Sequence, residues 1–254
     1  MRRLLIAGAL LALSGVGVAQ AAGASSPSDH TTLPTGCERH GPSVRYNGHR
    51  NRKRVAIGFD DGPAADTGDF VRELKHLKIH ATFFEIGEQV PGNAEVMKKI
   101  LASGNEIGNH TMHHVPNAGY SEIHDTQRAI KNATGFTPCV FRPPDGVFDS
   151  GTVHAARSLD LTTVVWNVDP RDWATPGTDA IKGNVVGNVK PGSIVVMHDG
   201  GGPRGQTLAA LPGIVAALRH RGYEFVTVSE LLGNKMIYPG SQPQPSPGPA
   251  PPSS

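Results

Sequence analysis

Val55-Ala56-Ile57-Gly58-Phe59-Asp60-Asp61-Gly62-Pro63 is the stretch on which the reading of this chain turns. Val55 to Phe59 is an apolar run of strand length that stops abruptly on two adjacent carboxylates. Gly62-Pro63 then imposes a turn, which puts Asp60 and Asp61 at the C-terminal end of a short buried strand. In α/β sheets and barrels that edge is where sites are built. Neighbouring residues at a strand end point in different directions, so one Asp can hold a cation while the other, ionised beside it, takes a proton. Asp-Asp-Gly-Pro is also good turn chemistry by itself. The stretch therefore gains weight only from what the rest of the chain places beside it.

Apolar runs and helical stripes alternate from here onward. A stripe at Phe70, Leu74 and Leu77 predicts a helix over 66–77, and Ala81–Ile86 reads as the next strand. A helix over 93–102 and a short strand over 105–109 lead into His110. Ser121 is expected to cap a helix through Asn132, with Gly135 beyond its end, before the strand Cys139–Phe141 stops at Arg142. Further on come a helix over 150–159, a strand over 162–166, and a weaker helix over 178–189. The strand Ser193–Met197 ends at His198-Asp199, and a helix over 208–221 precedes a seventh strand over 223–228. Such alternation implies right-handed crossovers and a parallel sheet. The fold class is α/β: a distorted, incomplete (β/α) barrel of about seven parallel strands. No glycine-rich nucleotide fingerprint follows any strand.

A length of 254 residues with 38% hydrophobic content suits one domain with appendages. A net charge of +2 and the absence of basic runs interleaved with aromatics argue against nucleic acid as a partner. The basic cluster Arg50–Arg54 reads as a solvated lead-in. At the N-terminus, Met1-Arg2-Arg3, an apolar stretch over 4–18 and Ala19-Gln20-Ala21 have the form of a secretory signal with its cleavage site. The apolar core is short and glycine-rich for a stable membrane span. Export to the extracellular space or cell wall follows, and with it an oxidising compartment. Cys37 and Cys139 are then expected to form a disulfide, closing a loop of about 100 residues worth up to roughly 4.7 kcal/mol.

Asp60/Asp61, His110/His114, Arg142, Asp169/Asp172 and His198/Asp199 all follow expected strands, and in a parallel barrel those ends share one face. His110 and His114 stand four residues apart, which would aim both imidazoles one way if the segment turns helically, a common arrangement on zinc. His113 is expected to be a neighbour. Thr111 occupies the position where an HExxH metalloprotease needs its glutamate, so peptide cleavage is disfavoured. A carboxylate from Asp60 or Asp61 would complete three protein ligands with an open position, the form of a catalytic metal site. His198 suits a general acid, with Asp172 or Asp199 to keep it protonated. Trp173 offers either an aromatic wall for a sugar or simple packing.

In this order the clusters resemble the five motifs of the polysaccharide deacetylases (the NodB homology domain, carbohydrate esterase family 4). Gly58–Pro63 resembles the first motif, His110–His114 the second and Arg142-Pro143-Pro144-Asp145-Gly146 the third. Asp169–Trp173 resembles the fourth and Ile194–Asp199 the fifth, so the resemblance runs from about Val55 to Leu232. It implies metal-dependent removal of acetyl groups from carbohydrate. It further implies Asp61, His110 and His114 as ligands of zinc, with cobalt as a substitute. Asp60 would be the general base held by Arg142, and His198 the general acid tuned by Asp172. Trp173 and Val196 would wall the acetyl methyl. The third motif usually carries an aromatic where this chain has Asp145, whose backbone N–H helps form the oxyanion hole. The donor survives, while the aromatic platform is replaced by a carboxylate.

The expected organisation is a signal peptide (1–21), an N-terminal extension (22–50), a catalytic domain (51–236) and a Pro-rich tail (237–254). The expected activity is N-deacetylation of N-acetylglucosamine units in chitooligosaccharide or peptidoglycan by a secreted monomer whose partner is the acetylated glycan. O-deacetylation of acetylxylan would use the same machinery, and a non-catalytic carbohydrate-binding role would have no use for a complete acid–base set.

Overall fold

Nine residues, Arg54–Gly62, form the strand β3 around which the sheet is built. The computed structural model of the chain describes residues 32–38 and 43–240. The expected signal peptide and residues 241–254 of the expected tail lie outside the described residues. Two short strands precede β3, namely β1 (Gly36–Cys37) and β2 (Val44–Arg45). After it the chain runs α1 (Thr67–Leu77), β4 (Thr82–Glu85), α2 (Ala94–Ala102), β5 (Glu106–Asn109), α3 (Tyr120–Thr134) and β6 (Val140–Phe141). It continues through α4 (Ser150–Ser158), β7 (Thr162–Val164), α5 (Thr178–Asn188), β8 (Ser193–His198) and α6 (Gly205–His220). It closes with β9 (Glu224–Phe225), α7 (Val228–Leu232) and β10 (Met236–Ile237).

The main sheet has the order β2-β7-β6-β5-β4-β3-β8, with β9 paired to the start of β3, and every pairing in it is parallel. All seven expected strands are present. The eighth, β2, comes from the stretch before residue 50, where no periodicity is legible. The sheet does not close, although Val168, shortly after β7, makes one parallel bridge to Val195 of β8. An incomplete (β/α) barrel is the result.

Alternation along β3 sorts its side chains. Val55, Ile57 and Phe59 join the helix-facing core with Phe70, Leu74, Met97, Ile100 and Leu211. Ala56 faces the other way, with Phe84, Val140, Val164 and Ile194, into the barrel. Gly58 lies on that inner side because a Cβ there would come within 2.5 Å of Arg142 Nη1. The Arg142 guanidinium takes the space that a side chain at position 58 would need.

Three local expectations are corrected. Helix α3 begins after Gly119, and neither Ser121 nor any other side chain caps it. The helix expected from Leu208 starts at Gly205. The seventh strand is only Glu224–Phe225, because Thr227 starts helix α7 instead. Thr227 Oγ1 accepts from Glu230 N at 3.2 Å and Glu230 Oε2 accepts from Thr227 N at 2.9 Å, a reciprocal cap that outweighs the β propensity of Val226 and Val228. Cys37 and Cys139 are disulfide-bonded at a sequence separation of 102, with Cα atoms 6.0 Å apart. Antiparallel pairing of β1 with β10 fastens the two ends of the described fold beside that bond.

Candidate active site

At the end of β3 the strand pairing slips between Asp60 and Gly62, so Asp61 is the residue of a bulge and adopts a left-handed φ of 73°. The bulge separates the two carboxylates. Asp60 keeps the inward direction of Ala56 and Gly58, and its Oδ1 accepts from Arg142 Nη1 at 2.6 Å. Arg142 is fully buried, with its guanidinium carbon 4.0 Å from the Phe84 ring centroid and 5.7 Å from that of Trp166. Aromatic faces and one carboxylate thus compensate a cation removed from water.

Asp61 meets the two histidines. Its Oδ1 lies 3.5 Å from His110 Nε2 and 3.1 Å from His114 Nε2, and that buried oxygen has no hydrogen bond of good geometry among the described residues. These three ligand atoms all lie within 4.8 Å of one another. The His110–His114 segment is not helical as expected: Thr111 and His114 take φ values of 68° and 53°, and this looped path brings the ring centroids to 5.1 Å. Asn109 and Glu122 fix the loop. Asn109 Oδ1 accepts from Thr111 N at 3.0 Å, and Glu122 Oε2 accepts from the N–H groups of Met112 and His113, each at 3.0 Å. His113 itself points away, with its Nδ1 2.8 Å from Glu122 Oε1.

His110 Nδ1 stands 2.7 Å from the Arg142 carbonyl, an acceptor, so Nδ1 carries a proton and Nε2 is the nitrogen turned to Asp61, the one that would offer its lone pair to a metal. Burial works to raise the Asp61 pKa, yet the two facing imidazoles hold it well below the carboxylate range. An ionised oxygen without a hydrogen bond and two imidazole nitrogens aimed at the same point form a donor set that fits a divalent transition metal.

On the opposite side, β8 ends on His198. Its Nδ1 is 2.8 Å from Asp172 Oδ1, its backbone N–H donates to Asp172 Oδ2 at 2.9 Å, and Thr207 Oγ1 donates to the same Oδ2 at 2.8 Å. Burial disfavours the His198 imidazolium, but Asp172 and then Asp60 outweigh it and raise the pKa above the ordinary value. Of the two carboxylates considered for this role, Asp172 makes the contact. Asp199 turns beneath β3 and accepts from the Thr67 hydroxyl, and burial pushes its pKa up to about 7. Glu85, fully buried alongside, is likewise raised well above the usual range by burial and by the charges of Asp199 and Asp60.

These groups open into one cavity of about 470 Å3, lined among others by Asp60, Asp61, His110, His114 and His198. Asp145, Asp169, Trp173 and Val196 line it too. Trp173 is half exposed with Arg171 over its ring, whereas Val196 is buried. A larger cleft of about 610 Å3 lies by the disulfide, but Asp160 is its one acidic residue and no cluster of titratable side chains meets there.

Sequence reading missed Trp166, Gly201 and Arg204 in the cavity wall. Trp166 follows β7 and was accessible to the strand-end rule. Arg204 follows the glycine-rich loop 200–202, and its Nε donates to Gly200 O at 2.6 Å, a contact no spacing announces. Gly200 is required by close approach, since a Cβ there would stand 1.9 Å from the Asp61 carbonyl oxygen.

The polysaccharide deacetylase family model matches residues 47–164, a span that contains Asp60, Asp61, His110, His114, Arg142 and Asp145. A peptidoglycan-N-acetylglucosamine deacetylase of Bacillus cereus is 43% identical over 201 residues, covering 76% of this chain and 94% of the relative. A chitooligosaccharide deacetylase of Bradyrhizobium sp. is 35% identical over 205 residues, covering 73% of this chain and 94% of the relative. Among solved structures, a peptidoglycan N-acetylglucosamine deacetylase in complex with a naphthalenyl-N-oxidanyl-benzamide superposes with a TM-score of 0.74 at 31% identity. That alignment covers 77% of this chain and 95% of the other.

Proposed function

The chain belongs to the polysaccharide deacetylase family, and we propose that it is a secreted, metal-dependent enzyme that removes the N-acetyl group from N-acetylglucosamine units of peptidoglycan or chitooligosaccharide. The observation that carries this reading is the meeting, in one cavity, of a ligand triad, a buried Asp–Arg pair and an Asp-supported histidine. The names of the B. cereus and Bradyrhizobium relatives support the substrate class. The expected bounds of 51–236 leave out β2, which pairs with β7, and Ile237, which pairs with Gly36, so the catalytic domain takes in both; a cleaved signal would precede it and the Pro-rich tail follow it.

Asp61, His110 and His114 would hold the ion, zinc or its substitute cobalt. When bound there, the ion supplies a Lewis acid for the acetyl carbonyl and lowers the pKa of water. Asp60, oriented by Arg142, takes the proton from the attacking water. The backbone N–H of Asp145 would donate to the acetyl carbonyl oxygen, where negative charge develops as water adds to the carbon. His198, protonated and oriented by Asp172, delivers a proton to the departing nitrogen. Trp173 and Val196 confine the acetyl methyl group and exclude water from it.

Acetate release from chitooligosaccharide, peptidoglycan and acetylxylan, with chelator and after zinc or cobalt add-back, tests the proposal. Metal-dependent release from the amide substrates is the expected result. Release from xylan alone would make the protein an O-deacetylase with the same residues in the same roles. No release from any of the three by metal-loaded protein would reject the enzyme in favour of carbohydrate binding.

A further inference from the structure

Four carboxylates line the cavity, and three of them are engaged within the protein. Asp60 pairs with Arg142, Asp61 lies between His110 and His114, and Asp169 Oδ1 accepts from Arg171 N at 2.7 Å. The fourth, Asp145, is exposed and has no hydrogen-bond or ion-pair partner among the described residues. The histidines on the wall are committed elsewhere: His114, whose imidazolium the Asp145 charge favours, is turned to Asp61, and His198 to Asp172. No lysine lines the cavity, and its one lining arginine, Arg204, is buried and donates to Gly200 O and, at 3.4 Å, to Trp173 O.

The backbone holds Asp145 in place. It stands in a single 3-10 turn, Pro144–Gly146, behind Pro143, with a left-handed φ of 57° that Asp tolerates better than most residues. Gly146 packs close on the Trp166 ring. A carboxylate on a fixed backbone, exposed and without a hydrogen-bond or ion-pair partner among the described residues, therefore lines the site in which negative charge develops during acyl cleavage, where like charge opposes the reaction. A cation brought by the ligand would relieve that opposition. The cation a deacetylated glycan carries is the ammonium left where an acetyl group has already been removed.

We propose that Asp145 makes this site prefer partially deacetylated glycans, pairing with a free ammonium on a sugar neighbouring the N-acetyl unit that reacts. The inference rests on the deacetylase reading above and adds to it a substrate preference set by this one side chain. Its consequence is that the product of one turnover is the better substrate for the next. A partly exposed ion pair of this kind gives a preference of about two- to fivefold, reduced by salt because the pair is solvated.

The test compares kcat/KM for acetate release by the zinc-loaded protein on two chitotetraoses, one fully acetylated and one bearing a single free amine beside a remaining N-acetyl unit. Expected is a preference for the amine-bearing oligomer at low salt that shrinks at high salt. In Asp145→Asn, which keeps the left-handed conformation accessible, the ratio falls to about one while zinc binding is retained. A wild-type ratio of one, a salt-independent ratio, or an unchanged ratio in Asp145→Asn each overturns the inference and leaves the deacetylase reading standing. Release from neither oligomer by the wild type overturns both. The salt dependence needs no substitution, so the inference stays open to refutation even if the variant folds poorly.

Discussion

Arg142 Nη1 donates to Asp60 Oδ1 at 2.6 Å inside the barrel, with both side chains almost wholly withdrawn from water. Each is the other's only charge compensation of hydrogen-bond quality among the described residues, since Arg142 Nε and Nη2 find no acceptor. Asp60→Asn keeps an acceptor for Arg142 and removes the base. It should cost about 10²- to 10⁴-fold in kcat while zinc stoichiometry is preserved. Arg142→Ala strands a buried carboxylate and should destabilise the fold by roughly 3–5 kcal/mol in urea unfolding of the metal-free protein. A fully active Asp60→Asn protein would remove Asp60 from the mechanism.

Asp172 and His198 predict a pH dependence. Asp172 holds the His198 imidazolium above the ordinary histidine pKa, so the acid stays protonated to a higher pH than a free imidazole would. Asp172→Asn withdraws that support, the folded pKa falls, and the alkaline limb of kcat/KM moves to lower pH. An alkaline limb that does not move would show that another group donates the proton.

Gly200 predicts metal affinity at a distance from the ligands. Because its α-carbon lies against the Asp61 carbonyl, Gly200→Ala must displace the bulge that aims Asp61 at the histidines. Zinc affinity should fall about 10-fold or more, as it does when groups that orient ligands are lost. The readout is the thermal shift on zinc addition, large in the wild type and diminished in the variant. An equal shift in both proteins would show that the bulge yields without moving the ligand.

Asp199 predicts how stability varies with pH in the metal-free protein. Its folded pKa of about 7 lies above the ordinary carboxylate value, chiefly through burial. The folded state holds a proton that the unfolded chain has released, so Asp199 lowers stability progressively as pH rises from about 4 to about 7, and the loss is complete above that. Asp199→Asn keeps an acceptor for Thr67 and cannot ionise. Its stability relative to wild type should therefore increase between pH 5 and pH 8 in urea unfolding. A constant difference across that range would contradict the raised pKa.

Much of the fold was legible because its signals are local. The run from Val55 to Phe59, the stripe at Phe70 and Leu74, and Gly135 closing α3 in a left-handed conformation each act within a few residues. What failed was also instructive. Thr227 and Glu230 contain the capping pattern that ends β9, but the apolar run around them reads more strongly as strand. Strand β2 is two residues long and owes its existence to pairing with β7, so no periodicity could reveal it.

The sequence by itself determined that Asp60, Asp61, His110, Arg142, Asp172 and His198 gather at one edge of a parallel sheet, because strand polarity and crossover handedness put every such chain end on the same side. The tertiary structure alone decided which of them touch. Alternation would have left Asp60 and Asp61 as equals, and only the bulge against β4 turns one to Arg142 and the other to the histidines. Likewise Asp199 adjoins His198 in sequence, yet Asp172, 26 residues away, holds the imidazole. Directions at strand ends depend on bulges and left-handed turns fixed by distant neighbours, and these leave little trace in the spacing of residues.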